Sequence, residues 1–251
     1  MKTIGLIGGM SWESTVTYYQ VINRVVAERL GGLHSARIVL YSVDFDEIER
    51  CQSSGDWDRS AQILAGAARA LERAGADMVL ICTNTMHKVA GEVASAVGIP
   101  LLHIADMTAD ALEGAGVATV GLLGTRYTME QDFYTGVLER RGLTVLTPGE
   151  KDRALVNRVI FDELCRGEIR DGSRAEFLRI IDDLAARGAQ GVILGCTEIG
   201  LLVRPQDTDV PLFDTTLIHA RGAALAALGE EPVEGPCGRR TASAAATTAS
   251  F

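Results

Sequence analysis

The chain lacks the marks of several large protein classes. Its five cysteines, Cys51, Cys82, Cys165, Cys196 and Cys237, are odd in number, widely spaced and without a C-x-x-C pair, so neither a disulfide framework nor a metal site such as zinc is indicated. No uncharged apolar stretch reaches membrane-spanning length, and no membrane partner is expected. The apolar run Thr3 to Gly8 is too short for a signal-peptide core and no small-residue cleavage pattern follows it, so the cytoplasm is the expected compartment. Positive charge is scarce: 24 Lys and Arg face 33 Asp and Glu, a formal net charge of −9, which disfavours nucleic acid as a partner. The dinucleotide fingerprint is missing as well. Gly8-Gly9 is not G-x-G-x-x-G, and a nicotinamide cofactor is not expected. An anionic ligand would have to be met by backbone dipoles or by one or two local cations.

A hydrophobic content of 47% is enough for a sizeable core, as one large α/β domain or two small ones. Apolar runs of strand length alternate with amphipathic stretches: Thr3 to Ile7, Arg37 to Ser42, Met78 to Cys82, Pro100 to Ile104, Thr119 to Leu123, Thr144 to Leu146, Gly191 to Leu194 and Val210 to Phe213. That pattern predicts βα units around parallel sheet. After the first strand, Tyr18, Ile22, Val25 and Val26 recur at helical spacing, with Ser11 as N-cap and Gly31-Gly32 as stop. Ser60 to Ala74 and Ser173 to Arg187 read as helices in the same way.

An internal repeat is the most informative feature. Gly5 to Gly9 matches Gly121 to Thr125, Gly75 to Thr83 matches Gly188 to Cys196, and Ile99 to Leu101 matches Val210 to Leu212, in one order with a slowly drifting offset. The expected fold is therefore α/β, with two pseudo-symmetric domains, each a parallel sheet flanked by helices, and the active site in the cleft between them. The halves are expected to meet near Ala105 to Gly116. The domains are read as 1–104 plus 215–228 and 105–214, with the last helix, Thr215 to Leu228, packing back on the first. Residues 229–251, rich in Ala, Thr, Ser, Gly and Glu, read as a mobile tail.

Ligands of open α/β sheets bind at the carboxyl ends of strands, where loops lead into helices. Three polar turns are expected there: Gly8-Gly9-Met10-Ser11, Cys82-Thr83-Asn84-Thr85 and Cys196-Thr197-Glu198. Free backbone N–H groups and a positive dipole end suit each to a carboxylate, so the site should hold a small anion. The repeat pairs Thr83 with Cys196. Strand residues alternate faces, so Cys82 and Thr83 point oppositely and the repeat selects Thr83 for the cleft. A hydroxyl and a thiol on opposite sides of one molecule suit two-sided proton transfer at carbon. Cys196 is expected as base because a free thiol has a pKa of about 8.5, lowered at a helix N-terminus. Threonine is a proton donor but a poor base. Cys82 and Cys165 read as small buried hydrophobes. Thr83 as helix cap and Asn84 as turn closer stand level with substrate roles, and His87 reads as a packing or hydrogen-bonding residue.

The strings Thr83-Asn84-Thr85-Met86-His87 and Gly195-Cys196-Thr197-Glu198 resemble the C-N-T-x-H and G-C-T-E motifs of the aspartate/glutamate racemase family of cofactor-independent amino-acid racemases. The likeness runs from Met1 to about Leu228, includes Gly8 to Ser14, and is greatest to the branch specific for L-aspartate and L-glutamate. It implies a homodimer that racemises an amino acid without pyridoxal phosphate or any other cofactor. Cys196 would attack the L-isomer. Thr83, Asn84, Thr85, Thr197 and Glu198 would hold the α-carboxylate and amine, and Met10 and Gln52 would line the pocket. The departure is Thr83, where the family pattern has its first catalytic cysteine; it implies fast exchange from L-substrates and weak exchange from D-substrates. The rival readings are a related cysteine-dependent isomerase, a hydantoin racemase, a malonate decarboxylase, or an amino-acid sensor without turnover.

Overall fold

The computed structural model describes residues 1–230, so the tail expected over 229–251, with Cys237, falls almost wholly outside the described residues. The first half runs β1 (Ile4–Gly8), α1 (Trp12–Leu30), β2 (Ile38–Ser42), α2 (Phe45–Ser54), α3 (Trp57–Arg73), β3 (Met78–Ile81), a 3-10 turn (Thr85–Val89), α4 (Ala90–Ser95), β4 (Leu101–Leu102) and α5 (Ile104–Gly114). The second runs β5 (Thr119–Gly124), α6 (Arg126–Glu130), α7 (Asp132–Arg140), β6 (Thr144–Leu146), α8 (Glu150–Asp162), a 3-10 turn (Leu164–Arg166), α9 (Asp171–Ala186), β7 (Val192–Gly195), α10 (Ile199–Leu202), β8 (Leu212–Asp214) and α11 (Thr215–Leu228).

Two four-stranded sheets result, ordered β2-β1-β3-β4 and β6-β5-β7-β8, with every pairing parallel. The strands that the internal repeat equates, β1 with β5, β3 with β7 and β4 with β8, hold the same places in their sheets. The expected α/β architecture of two parallel sheets flanked by helices is what the chain adopts.

Side-chain periodicity explains how the layers close. In α1, Ser11 caps the first turn through Ser14 N–H, and the stripe Tyr18, Ile22, Val25 and Val26 is buried. That stripe shares a core cluster with Ile4 and Leu6 of β1, Met78 and Leu80 of β3, and Ala220, Ala223, Ala224 and Leu225 of α11. The alanines leave room for α11 to lie close to α1. Leu64, Ala67, Ala68 and Leu71 of α3 cluster with the alternate strand residues Ile7, Val79 and Ile81. In the second half Phe177, Ile180, Ile181 and Leu184 of α9 and Val156, Val159 and Ile160 of α8 belong to one cluster with β5 and β7. Each such large side chain, fully covered, contributes about 1.5–3 kcal/mol before chain entropy is set against it.

Two elements differ from the sequence expectation. The strand expected over Pro100 to Ile104 is only two residues long, because His103 caps α5 by accepting Ala105 N–H at Nδ1 (3.2 Å), which makes Ile104 the first helical residue. Asp44 to Asp56, which shows little internal pattern, contains α2, capped by the Asp44 carboxylate and stopped by Gly55 at φ 75°.

Candidate active site

Three turns at the carboxyl ends of central strands meet across the halves. The first leaves β1 through Gly9, whose φ is +92° and where a Cβ would lie 2.3 Å from the Val43 carbonyl oxygen, so glycine is required for the chain to turn. The turn delivers Ser11, whose Oγ donates to Glu198 Oε1 at 2.6 Å although 187 residues separate the two.

The second turn leaves β3. Cys82 is fully buried in the cluster between β1, α1 and α11, and burial pushes its thiol far above the ordinary range. Thr83, next along, is half-buried. Below it, His87 is held in one tautomer. Ile104 N–H donates to Nε2 (3.1 Å), so the ring proton sits on Nδ1 and is donated to the Thr83 carbonyl (2.8 Å). Burial, first, and the neighbouring His103 and His219, next, push His87 well down, so it is neutral at pH 7. His219 is locked likewise: Nε2 donates to Leu102 O (2.9 Å), Nδ1 accepts the Tyr18 hydroxyl (2.8 Å), and burial pushes its pKa down to about 4.

The third turn follows β7. Glu198 keeps 2% of its surface and pairs with no cation among the described residues; its charge is met by three donors. Besides Ser11, Thr197 Oγ1 donates to Oε2 at 2.7 Å and Cys196 Sγ to the same oxygen at 3.0 Å. The Cys196 thiol is therefore pushed well above its ordinary value, by burial first and by the Glu198 charge second. The expected lowering at a helix N-terminus does not hold, because α10 has only four residues and burial, followed by the carboxylate, acts against it.

Further hydrogen bonds tie the turns together. Thr85 Oγ1 bonds Thr125 Oγ1 at 3.0 Å. Asn84 Nδ2 donates to Thr215 Oγ1 (3.0 Å), which itself donates to Leu194 O (2.9 Å). That chain fixes the amide orientation and leaves Asn84 Oδ1 buried with no partner. A buried acceptor without a donor costs about 1–3 kcal/mol, and an N–H bearing ligand would relieve it.

The sequence and the fold match a known family. A family model described as Asp/Glu/hydantoin racemase covers residues 7–223. The chain belongs to that family. A candidate Asp/Glu racemase from Yersinia pestis is 58% identical, with a TM-score of 0.85 over 91% of this chain and 100% of the other. An aspartate racemase homologue from Pyrococcus horikoshii OT3 is 37% identical, with a TM-score of 0.80 over 91% and 100% of the two chains. The broad-specificity amino-acid racemase RacX of Bacillus subtilis is 23% identical over 87% of this chain and 95% of its own. Membership places the chain among the amino-acid racemases, which are isomerases.

Of the residues expected to form the racemase site, Cys196, Thr197 and Glu198 make one hydrogen-bonded set, and Asn84 and Thr85 each reach across to the second half or to α11. Thr83 Oγ1 makes no hydrogen bond among the described residues. Asn84 stands at the cap position of the 3-10 turn and closes it through its backbone carbonyl, which accepts His87 N–H (3.0 Å), while its side chain makes no cap bond. Gln52 is buried on α2, its side-chain Nε2 donating to Met86 Sδ (3.0 Å) and its backbone carbonyl accepting the Tyr127 hydroxyl (3.1 Å). Met10 sits in the core cluster with Met86 and Ile48. Three polar residues of this hydrogen-bonded set were not singled out as site residues from sequence: Ser11, Thr125 and Thr215. The repeat places Thr125 opposite Gly9, which is the one signal that could have raised it.

Proposed function

We propose that the protein interconverts the enantiomers of an acidic amino acid, aspartate or glutamate, by two-sided proton transfer at the α-carbon without pyridoxal phosphate. The observation that carries this reading is the Cys196–Glu198 hydrogen bond, taken together with the unpartnered Asn84 acceptor. The α-ammonium is to be accepted by Asn84 Oδ1, and the α-carboxylate held by the hydroxyls and N–H groups of the Thr83–Thr85 and Cys196–Thr197 turns.

The thiol proton passes to Glu198, and the Cys196 thiolate takes the α-proton of the L-isomer, leaving its electron pair on carbon and in the adjoining carboxylate. Thr83 then gives its hydroxyl proton to the opposite face. Glu198 returns one proton to solvent and Thr83 recovers one, so the cycle balances. Because the thiolate is the working form and its pKa is raised, the rate from L-substrate should climb with pH on the alkaline side. Closure of the halves, 1–104 with 215–228 against 105–214, would shield the carbanion. Thiols stay reduced in the cytoplasm, which supports placing the enzyme there.

The test is α-proton exchange in heavy water from each enantiomer. Exchange from L should exceed exchange from D by about tenfold or more, since a hydroxyl is the weaker base by many pKa units. Thr83→Cys should raise D-exchange by at least about tenfold; equal initial rates from L and D in the parent would defeat the asymmetry. Turnover of a maleate, hydantoin or malonate with none from any amino acid would replace the racemase reading. Binding without turnover would favour a sensor.

The homodimer has its own support. Trp12, Val16 and Tyr19, spaced along one face of α1, are 65%, 45% and 54% exposed, and Leu40 and Tyr41 on the edge strand β2 are 47% and 43% exposed. An apolar stripe beside an unpaired strand edge suits a second copy. Val16→Glu with Tyr19→Glu should halve the mass seen by light scattering while leaving the far-ultraviolet dichroism intact; an unchanged mass assigns the interface elsewhere.

A further inference from the structure

The reactive side chains are covered: Cys196 keeps 9% of its surface, Thr197 8%, Thr85 5%, and Asn84 and Glu198 2% each. They lie where turns of the two halves bond each other, Ser11 to Glu198 and Thr85 to Thr125. At their junction lies a cleft of about 180 Å³, lined by Glu49 and Gln52 of α2 on one side and by Arg126, Tyr127, Asn157 and Phe161 of α6 and α8 on the other. Gln52 is the wall it shares with the site. Its backbone carbonyl takes the Tyr127 hydroxyl across the junction and its side-chain amide donates to Sδ of Met86, which directly follows Thr85.

The cleft has a defined chemistry. Arg126 is exposed and its guanidinium, 5.8 Å from the Tyr127 ring, makes no ion pair or hydrogen bond among the described residues. Asn157 accepts the Arg126 backbone N–H at Oδ1 (2.8 Å) and keeps its amide protons free to donate. Glu49 lies across the cleft without reaching ion-pair distance. The chain as a whole carries −9, which repels a dianionic ligand, so a cation at the mouth is where such a ligand would be drawn in.

We propose that this cleft is the mouth of the racemase site and that Arg126, aided by Asn157, binds the side-chain carboxylate of an acidic substrate there, against the opposing charge of Glu49. The assignment rests on the racemase reading and names its specificity-determining cation. A guanidinium–carboxylate contact is the bidentate, charge-assisted kind, and its loss weakens binding by about tenfold or more.

Calorimetric titration in a Cys196→Ser background, which stops turnover during the measurement, would compare glutamate and aspartate with their neutral isosteres glutamine and asparagine. Arg126→Met should weaken the two acids about tenfold or more and move the amides less than about twofold. Glu49→Gln should act in the opposite sense on the acids, and Arg126→Lys should restore part of the loss. A role in packing alone would shift acids and amides together and would not reverse sign at Glu49. Equal weakening of both ligand sets, no change in either, or no binding of the acids by the parent would each overturn the assignment. Proton exchange in the wild-type enzyme decides the racemase reading separately: acid-selective binding lost with Arg126 but no exchange would sink that reading and leave the carboxylate site standing.

Discussion

Cys196→Ser is expected to abolish racemisation of L-aspartate and L-glutamate, lowering kcat by about 1,000-fold or more while ligand binding persists. The substitution keeps the size of the side chain and a donor for Glu198 Oε2, now 3.0 Å from the thiol, and changes only acidity. A positioned base is worth about 10²–10⁴ in rate, and a serine hydroxyl, far less acidic than a thiol, cannot supply it near neutrality. Polarimetry or circular dichroism reads the rate, and calorimetry reads the binding. Retention of a tenth of the activity would remove Cys196 from its role as base. Loss of binding together with turnover would point to a fold defect, which thermal unfolding would reveal.

The second large effect is expected at Glu198. Its carboxylate both holds the Cys196 thiol up and stands ready to receive the thiol proton, and these two actions oppose each other in Glu198→Gln. Without the charge the thiolate forms more readily, so the alkaline limb of the rate profile should move to lower pH. Without the acceptor the proton has no nearby destination, and turnover at neutral pH should fall by about 100-fold or more. A variant faster than its parent at pH 7 would show that the carboxylate only burdens the thiol. Folding should suffer too: Ser11 and Thr197 also donate to this group, and an amide oxygen cannot accept from all three. One buried donor left unpaired costs about 1–3 kcal/mol.

Much of the fold can be read from residue order because parallel strands buried on both faces are near-continuous apolar runs, and the repeat equates β1 with β5 and β3 with β7 before any coordinates exist. The helix α11 ends where the pattern places it, from Thr215 to Leu228. What escaped is local or long-range. The caps of α2, Asp44 and Gly55, stand in the sequence, but its ten residues carry too few apolar positions to announce a helix. Of the candidate site, the pairing of Thr83 with Cys196 is read from the repeat, and Asn84, Thr85, Thr197 and Glu198 from the polar turns that hold them together with the family resemblance. The Ser11–Glu198 contact does not, since nothing in a linear string links residues 187 apart. Nor does the raised state of Cys196, which depends on burial and on where one carboxylate oxygen lies.

The locked histidines bear on how a rate profile is to be assigned. With Nδ1 of His87 and Nε2 of His219 committed to carbonyl oxygens, and with burial holding both rings and His103 below their usual range, none of these three imidazoles changes charge near neutrality. An inflection found at pH 7 or above belongs instead to sulfur, carboxylate or the ammonium of the amino acid itself. Nitrogen-15 shifts of the three rings, flat across that interval while activity climbs, would make the enzyme a proton-transfer catalyst whose histidines are architecture.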